Sequence, residues 1–258
     1  MKLDILAFGA HPDDVELFAG GTLAKMAALG YAAGVVDMTR GELGTRGTPS
    51  RRKQEAAKAA EILGLGIREN LGLEDGNVTV TPESRLKVIR ILRKYRPQIV
   101  MTHYWDDKHP DHVHTSRLVA EAVHHSGLAK IKTGQTRYRP PVILYFKLPR
   151  QLAPSFVVDI SDHIEQRRAA IGAYGSQLFD PSSNEPMTRL SQPDFLFQVE
   201  SVHAYYGSLI GARAAEAFHI KEVLEIQDLV RHFTRQAVAG KPQRPQKNRF
   251  KREDSLRS

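Results

Sequence analysis

Two clusters of histidine, proline and aspartate, each placed after an apolar run, constrain the fold more than any other feature of the chain. The first occupies residues 10–16 (Ala-His-Pro-Asp-Asp-Val-Glu) and follows the apolar run of residues 3–10. The second occupies residues 109–114 (His-Pro-Asp-His-Val-His) and comes soon after the run of residues 98–102. An apolar run that gives way to polar and then helix-forming residues is typical of a buried strand followed by a helix. Because ligands bind at the carboxyl ends of strands in open α/β sheets, we expect the clusters to meet at one edge of a sheet.

The rest of the chain alternates β-rich and helix-forming segments. Further strands are expected over residues 33–38, 67–71, 99–102, 142–146, 156–160 and 223–226. Helices are expected over residues 15–29, 50–63, 82–96, 113–125, 162–174, 195–207 and 228–238. This alternation predicts an α/β fold with a Rossmann-like, doubly wound, mostly parallel sheet and helices on both faces. The turn over residues 8–13 lacks the G-x-G-x-x-G pattern and carries acids where a pyrophosphate would lie, which argues against a dinucleotide-binding protein.

The positive charge of the chain is concentrated at its end. Of the formal net charge of +8, residues 240–258 contribute +5, with seven basic side chains against two acidic ones. They offer little that could be buried, so residues 1–239 are expected to form a single α/β domain and residues 240–258 a disordered basic tail. A solvated tail is favoured over one that binds nucleic acid, because most charge runs are simply solvated.

Composition also bears on the compartment and on the ligands available for a metal. No apolar run approaches the length of about 18 residues that a membrane span needs, and the start of the chain is too short and acidic for a signal peptide. We therefore expect a cytoplasmic protein with no membrane partner. The chain has no cysteine, so any metal must be held by nitrogen and oxygen ligands.

Together, the two clusters offer the ligands of a catalytic metal site. Such a site typically has three protein ligands and leaves one position open for water. Here the candidate ligands are His11, Asp14 and His112. Asp13 and His109 would then lie unligated beside the metal, as a base and an electrophile. A lone aspartate before a helix is more often an N-cap, and a lone histidine is usually structural. Two such clusters after two buried strands are much harder to explain in that way.

The remaining histidines show no comparable spacing, and a structural role is expected for each of them. They are His103, His124, His125, His163, His203, His219 and His232. His114 lies two residues from His112 and should point elsewhere on the helix.

Five motifs in the first half of the chain resemble those of the PIG-L (LmbE-like) family of zinc-dependent N-acetylglucosamine deacetylases. They are Ala-His-Pro-Asp-Asp-Val-Glu at 10–16, Gly-Glu-Leu-Gly at 41–44, Arg-Lys-Gln-Glu-Ala-Ala at 52–57, Leu-Glu-Asp-Gly at 73–76 and His-Pro-Asp-His at 109–112. The resemblance covers about residues 3–235. Later segments at 176–177, 205–207 and 215–218 are similar to the bacillithiol-pathway branch.

The resemblance implies roles for the site residues. The zinc ligands would be His11, Asp14 and His112. Asp13 would be the general base, and His109, oriented by Asp111, would stabilise the oxyanion as an imidazolium and could protonate the leaving amine. We expect Asp111 to raise the pKa of His109, because a carboxylate favours the charged ring.

The resemblance also implies contacts to the substrate. Arg52 would bind an acidic or phosphate-bearing aglycone, and Asp75 would hydrogen-bond sugar hydroxyls. Lys108 stands where the family often has arginine, which leaves no role for that position. A further substrate-binding arginine would be either Arg137 or Arg139.

The reaction implied is hydrolysis of the acetyl group from N-acetylglucosaminyl L-malate in bacillithiol biosynthesis, giving glucosaminyl malate and acetate. Alternatives are another N-acetylglucosamine conjugate, such as a mycothiol-type inositol conjugate, diacetylchitobiose or an antibiotic precursor. Zn²⁺ is the expected cofactor, although other divalent cations suit two histidines and one aspartate. A homo-oligomer, a hexamer by family analogy, is expected.

Overall fold

A computed structural model describes residues 1–230 of the chain. Within them, seven strands form one sheet: β1 (Ile5–Gly9), β2 (Ala33–Thr39), β3 (Ile67–Leu73), β4 (Ile99–His103), β5 (Val142–Phe146), β6 (Phe156–Asp159) and β7 (Ala215–Ile220). The strand order is β3-β2-β1-β4-β5-β7-β6. Strands β1 to β5 pair in parallel, and β7 runs antiparallel to both β5 and β6. The strand order reverses on either side of β1, and such a switch point is where open sheets bind ligands.

Six α-helices connect the strands within the described residues: α1 (Asp14–Ala28), α2 (Pro49–Ile62), α3 (Pro82–Tyr95), α4 (Pro110–Ser126), α5 (Ile164–Gly172) and α6 (Phe195–Ser208). A 3₁₀ turn over Ser161–His163 precedes α5. Proline at the first helical position favours the start of α2 and α3, because it has no N–H to leave unpaired. The hydroxyl of Thr48 caps α2 by accepting from the N–H of Arg51, so the helix starts just before the position that the sequence suggested.

Helices cover both faces of the sheet, which confirms the predicted doubly wound fold. One buried cluster joins Leu6, Phe8 and Val100 of the strands to residues of α3 and α4. A second cluster, on the opposite face, joins Ala7, Val35 and Met101 to the apolar side of α1. Every residue of β1 is buried, as expected of a parallel strand covered on both faces.

The last described part of the chain differs from the prediction. Residues 1–221 form one compact unit. The strand expected over residues 223–226 is absent from the described residues, which run there without regular structure. The seventh strand is instead Ala215–Ile220, whose first four residues are buried. Leu229 and Val230 are helical, but most of the helix expected over residues 228–238 lies outside the described residues, and so does the predicted tail. None of the described helices is long and apolar enough to cross a membrane.

Candidate metal centre

The turn from β1 into α1 places Asp13 in a strained backbone conformation. Its φ angle is 116°, a value that non-glycine residues rarely adopt and that often marks a functional site. The Asp13 side chain makes no capping hydrogen bond to α1, so the N-cap interpretation does not apply to it. The neighbouring carboxylate folds back instead, because Asp14 Oδ2 accepts the N–H of His11 at 2.8 Å.

Asp13 is paired with a buried arginine from α2. Arg52 Nη2 donates to Asp13 Oδ2 at 2.9 Å and also to the carbonyl of Pro12. Its Nη1 lies 3.4 Å from the carbonyl of Gly41. Burial raises the pKa of Asp13 to about 7, even though Arg52 opposes that rise. A carboxyl group with a pKa near neutrality is suited to act as a general base.

The two histidine and aspartate clusters meet, as the sequence predicts. Ligating atoms of His11, Asp14 and His112 all lie within 4.8 Å of one another. Asp14 stands between the rings, with Oδ2 3.3 Å from His11 Nδ1 and Oδ1 3.3 Å from His112 Nε2. Burial favours the neutral acid, but His112 and His103 hold the pKa of Asp14 well below its usual range. Two imidazoles and an ionised carboxylate fit a divalent cation such as zinc.

His11 also faces two carboxylates on its other side. Its Nε2 lies 3.0 Å from Asp75 Oδ1 and 3.3 Å from Asp111 Oδ2. Burial lowers the pKa of His11, but the carboxylates of Asp111, Asp14 and Asp75 outweigh it and raise the value to about 12. Binding of a metal must therefore displace a proton from His11, which makes metal affinity dependent on pH.

A second set of donors overlaps the first. His11, His109 and Asp111 also have ligating atoms within 4.8 Å of one another. Since His11 belongs to both sets, the two sets compete for it. The set with Asp14 and His112 consists of more buried residues and agrees with the predicted ligands, and ligation itself stays a prediction.

Asp111 fixes a loop beside the site, and its predicted role in orienting His109 stays a prediction. Its carboxylate accepts the N–H groups of Gly76 at 2.8 Å and Val78 at 3.2 Å. The backbone of Asp111 contacts the ring of His109, since His109 Nδ1 accepts the N–H of Asp111 at 3.3 Å. The loop over residues 76–78 is thereby fixed beside the site.

The pKa of His109 shifts in the direction opposite to that expected. Burial lowers it, and the neighbouring rings of His112 and His11 lower it further, although Asp14 and Asp111 oppose them. A neutral ring whose Nδ1 accepts a hydrogen bond carries its proton on Nε2. His109 can therefore still donate a hydrogen bond to an oxyanion, as a neutral imidazole rather than as an imidazolium.

Asp75 lies at the site, as the sequence predicts, whereas the candidate arginines of the 137–139 segment do not. Asp75 Oδ2 accepts the N–H of Leu43 at 2.9 Å, and its other oxygen faces His11. Arg139 donates to the carbonyl of His124 at 2.9 Å, near the carboxyl end of α4. The backbone N–H of Tyr138 donates to the carbonyl of Ser126, the last residue of that helix. The site lies at the amino end of α4, so a helix of 17 residues separates the segment from it.

Sequence reasoning missed three residues of the site. His103 is fully buried at the end of β4, where its ring stacks on His112 at 4.1 Å and its Nε2 lies 3.3 Å from Asp14 Oδ2. Burial lowers the pKa of His103 to about 3. The other two, Asp107 and Lys147, lie behind His112. The one available signal was that His103 directly follows the strand expected over residues 99–102, which had to lie near the first cluster if the two clusters were to meet.

Comparison with known proteins identifies a family model and a similar curated protein. A model of the family "PIG-L: GlcNAc-PI de-N-acetylase" matches residues 6–123, a range that contains all the predicted ligands. A diacetylchitobiose deacetylase from Thermococcus kodakarensis is 31% identical over 224 residues, covering 82% of this chain and 80% of that protein.

Two solved structures resemble the fold closely. The conserved protein TT1542 from Thermus thermophilus is 39% identical with a TM-score of 0.79, covering 87% of this chain and 98% of that one. The N,N'-diacetylchitobiose deacetylase from Pyrococcus horikoshii is 26% identical with a TM-score of 0.75, covering 87% of this chain and 88% of that one.

Proposed function

Because the chain belongs to the PIG-L family of de-N-acetylases, we propose that it is a metal-dependent hydrolase that removes the acetyl group from an N-acetylglucosamine conjugate. One observation carries the proposal. A donor set of two histidines and an aspartate lies beside Asp13, a buried carboxyl group whose pKa is shifted to about 7. A metal-assisted hydrolase needs both a site for a cation and a base next to it.

The chemistry follows from the groups present. An amide is a poor electrophile, and a divalent cation held by His11, Asp14 and His112 would acidify the attacking water and polarise the acyl oxygen. Asp13 accepts a proton from the water while the oxygen of the water forms a bond to the acyl carbon. His109 donates its Nε2 hydrogen to the oxyanion that forms. The C–N bond then breaks as the amine nitrogen receives the proton from Asp13, releasing acetate and a free glucosamine.

For the substrate, we propose N-acetylglucosaminyl L-malate, with diacetylchitobiose as the second candidate. The malate conjugate is supported by the resemblance of segments 176–177, 205–207 and 215–218 to the bacillithiol branch. Residues of two of these segments make hydrogen bonds within the fold. Ser176 donates its backbone N–H and its hydroxyl to the carboxylate of Glu55, and the Glu216 carboxylate accepts two backbone N–H groups of α1. Diacetylchitobiose is supported by the 31% identical relative, whose name states that substrate.

Arg52 and Asp75 are the proposed substrate contacts. Asp75 Oδ1 lies 3.0 Å from His11 Nε2 and Oδ2 accepts the N–H of Leu43, and the remaining lone pairs of the carboxylate are the proposed acceptors for sugar hydroxyls. Two nitrogens of Arg52 are taken by Asp13 and by backbone carbonyls, while its Nε has no hydrogen-bond partner among the described residues. We propose that Arg52 favours the ionised form of Asp13. Its Nε–H is buried, so the proposed contact of Arg52 with an acidic aglycone requires the side chain to move.

We further propose Zn²⁺ as the metal, a cytoplasmic location and a homo-oligomeric state, with the predicted hexamer as the specific form. Nitrogen and carboxylate ligands support zinc. Exposed apolar side chains on and after α6 support an oligomer, since Phe197 is 72% exposed and Leu209 is 53% exposed. The basic residues 240–258 are proposed to take no part in catalysis.

The proposed reaction is tested by measuring acetate released by the zinc-reconstituted protein from four substrates in parallel. They are N-acetylglucosaminyl malate, N-acetylglucosaminyl inositol, diacetylchitobiose and free N-acetylglucosamine. We expect chelator-sensitive release that is at least tenfold faster from the malate conjugate than from the others. Faster release from diacetylchitobiose would replace the proposed substrate, and no release from any of the four would refute the proposed reaction.

A further inference from the structure

The ring of His112 has two charged neighbours on the side that faces away from the other candidate ligands. Asp107 Oδ2 lies 3.3 Å from His112 Nδ1, and Lys147 Nζ lies 2.7 Å from the same atom. The two neighbours also contact each other, since Lys147 Nζ lies 2.8 Å from Asp107 Oδ2. Asp107 is in the loop between β4 and α4, whereas Lys147 directly follows β5. Two separate segments therefore converge behind one ligand.

Lys147 reaches this position through an unusual backbone conformation. Its φ angle is 58°, in the left-handed region that costs a non-glycine residue roughly 1–2 kcal/mol. Such strain persists only where the surrounding structure fixes it. The Asp107 side chain is also well enclosed, with 9% of its surface exposed. The contact is thus built into the fold and does not depend on two mobile surface side chains.

The hydrogen bonding of His112 depends on which ring nitrogen carries the proton. A lysine ammonium can only donate, so its contact with Nδ1 needs the lone pair on that atom. A neutral histidine that binds a metal through Nε2 carries its proton on Nδ1, and such a proton needs an acceptor. Within the described residues, the acceptor on that side is Asp107 Oδ2. The two neighbours therefore favour opposite tautomers of His112.

We infer that Asp107 is a positioning residue that orients His112 for metal binding, and that Lys147 competes with it for Nδ1. This inference rests on the proposed metal site but not on the proposed substrate. Asp107 accepts the Nδ1 proton and so directs the Nε2 lone pair towards His11 and Asp14. Lys147 stabilises the tautomer that cannot bind a metal through Nε2. Loss of the carboxylate and loss of the ammonium should therefore change metal affinity differently.

The test is the affinity of the purified full-length protein for Zn²⁺, measured by competition with a chromophoric chelator. We expect Asp107→Asn to weaken binding by about 10- to 100-fold, the usual effect of removing a carboxylate behind a ligating histidine. Lys147→Met should bind Zn²⁺ at least as tightly as the unmodified protein. A merely structural role for the pair predicts that both variants lose affinity.

Asp106→Asn is the matched control, because it removes the same charge from the neighbouring, exposed residue of the same loop. Circular dichroism of each variant shows whether it folds. If Asp107→Asn fails to fold, Asp107→Glu replaces it and should retain affinity for Zn²⁺ within fivefold. The inference is overturned if Asp107→Asn loses less than fivefold, if Asp106→Asn loses as much, or if Lys147→Met weakens binding by more than fivefold. Failure of the unmodified protein to bind Zn²⁺ would instead refute the proposed metal site, whatever its activity.

Discussion

Asp13 is held by three constraints whose combination explains how a carboxyl group could act as a base at neutral pH. Its backbone has a positive φ angle, the residue is 6% exposed, and Arg52 donates to its carboxylate at 2.9 Å. Burial alone would keep the carboxyl group protonated, and the guanidinium partly restores its charge. The residue is thus balanced between its two protonation states by Arg52.

Replacing Arg52 should therefore displace the pH dependence of turnover. The base is active when ionised, so the rate falls as the pH falls through its pKa. We expect Arg52→Gln to move this acid limb to higher pH. At pH values below both acid limbs, turnover should fall about tenfold for each pH unit by which the limb moves, and the rates of the two proteins should converge at high pH. A bound cation lowers the pKa of Asp13 in both proteins, so the difference between them remains.

The same variant separates the two roles proposed for Arg52. Loss of the contact with Asp13 should slow acidic and neutral aglycones equally. The implied role in substrate binding adds a further loss, seen as a raised KM for acidic aglycones only. A pH profile identical to that of the unmodified enzyme would remove Arg52 from the base mechanism. The exposed neighbour Arg51 provides the control, as Arg51→Gln.

Among single residues, those whose proximity follows from their spacing in the chain could be predicted from the sequence. Residues that distant segments bring together could not. His11 and Asp14 lie three positions apart in one turn, so their proximity follows from the chain itself. His103, Asp107 and Lys147 belong to three neighbouring segments, and only the register of β4 against β1 and β5 places them together. The tautomer and pKa of His109 depend on surrounding rings that no local pattern specifies.

The helix that follows the first cluster is anchored at its middle by a buried ion pair. Glu216 of β7 accepts the N–H groups of Gly21 at 2.9 Å and Thr22 at 2.7 Å. Arg167 of α5 donates to the carbonyl of Leu17 at 2.7 Å and lies 3.4 Å from Glu216. Both charged side chains are almost fully buried. They fix α1, and with it the turn that carries Asp13 and Asp14, against the sheet and α5.

Removing one charge from this pair should destabilise the whole unit. Glu216→Gln leaves Arg167 buried without a counter-charge, and we expect a loss of about 3–5 kcal/mol in the free energy of unfolding. Chemical denaturation measures it. Glu200→Gln is the matched control, since Glu200 pairs with Arg168 at 2.6 Å on the surface and should cost about 0–1 kcal/mol. Equal losses for the two variants would contradict the anchoring role.

At the level of elements, the helices were easier to predict than the last strand. The periodic apolar faces and the proline starts of α2 and α3 mark those helices in the sequence. Glu216 is the second residue of strand β7, and a glutamate in a short run suggests a solvent-facing position. Its burial depends on Arg167 and on the backbone of α1, which lie far away in the sequence. The apolar run of residues 223–226 looked more strand-like, yet Val223 is 97% exposed.

The two clusters come together because β1 and β4 are adjacent in the sheet, although α1 and two complete βα units separate them in the chain. The switch point beside β1 leaves an opening at the carboxyl end of the sheet, and both clusters start helices that face it. The alternation of strands and helices was sufficient to predict this architecture. The proximity of β1 and β4 was expected from the two clusters, whereas no sequence signal predicted the rest of the strand order or the antiparallel placement of β7.

If the two clusters form one hydrolytic site with Asp13 as its base, replacing Asp13 should stop turnover without removing the metal. The measurement is acetate release by Asp13→Asn and by the unmodified protein, at equal measured zinc content and on the best substrate of the panel. We expect Asp13→Asn to bind zinc normally but to release acetate about 10²- to 10⁴-fold more slowly. Chelation should abolish release by the unmodified protein, and zinc should restore it. Turnover by zinc-loaded Asp13→Asn close to that of the unmodified protein would show that Asp13 is not the base.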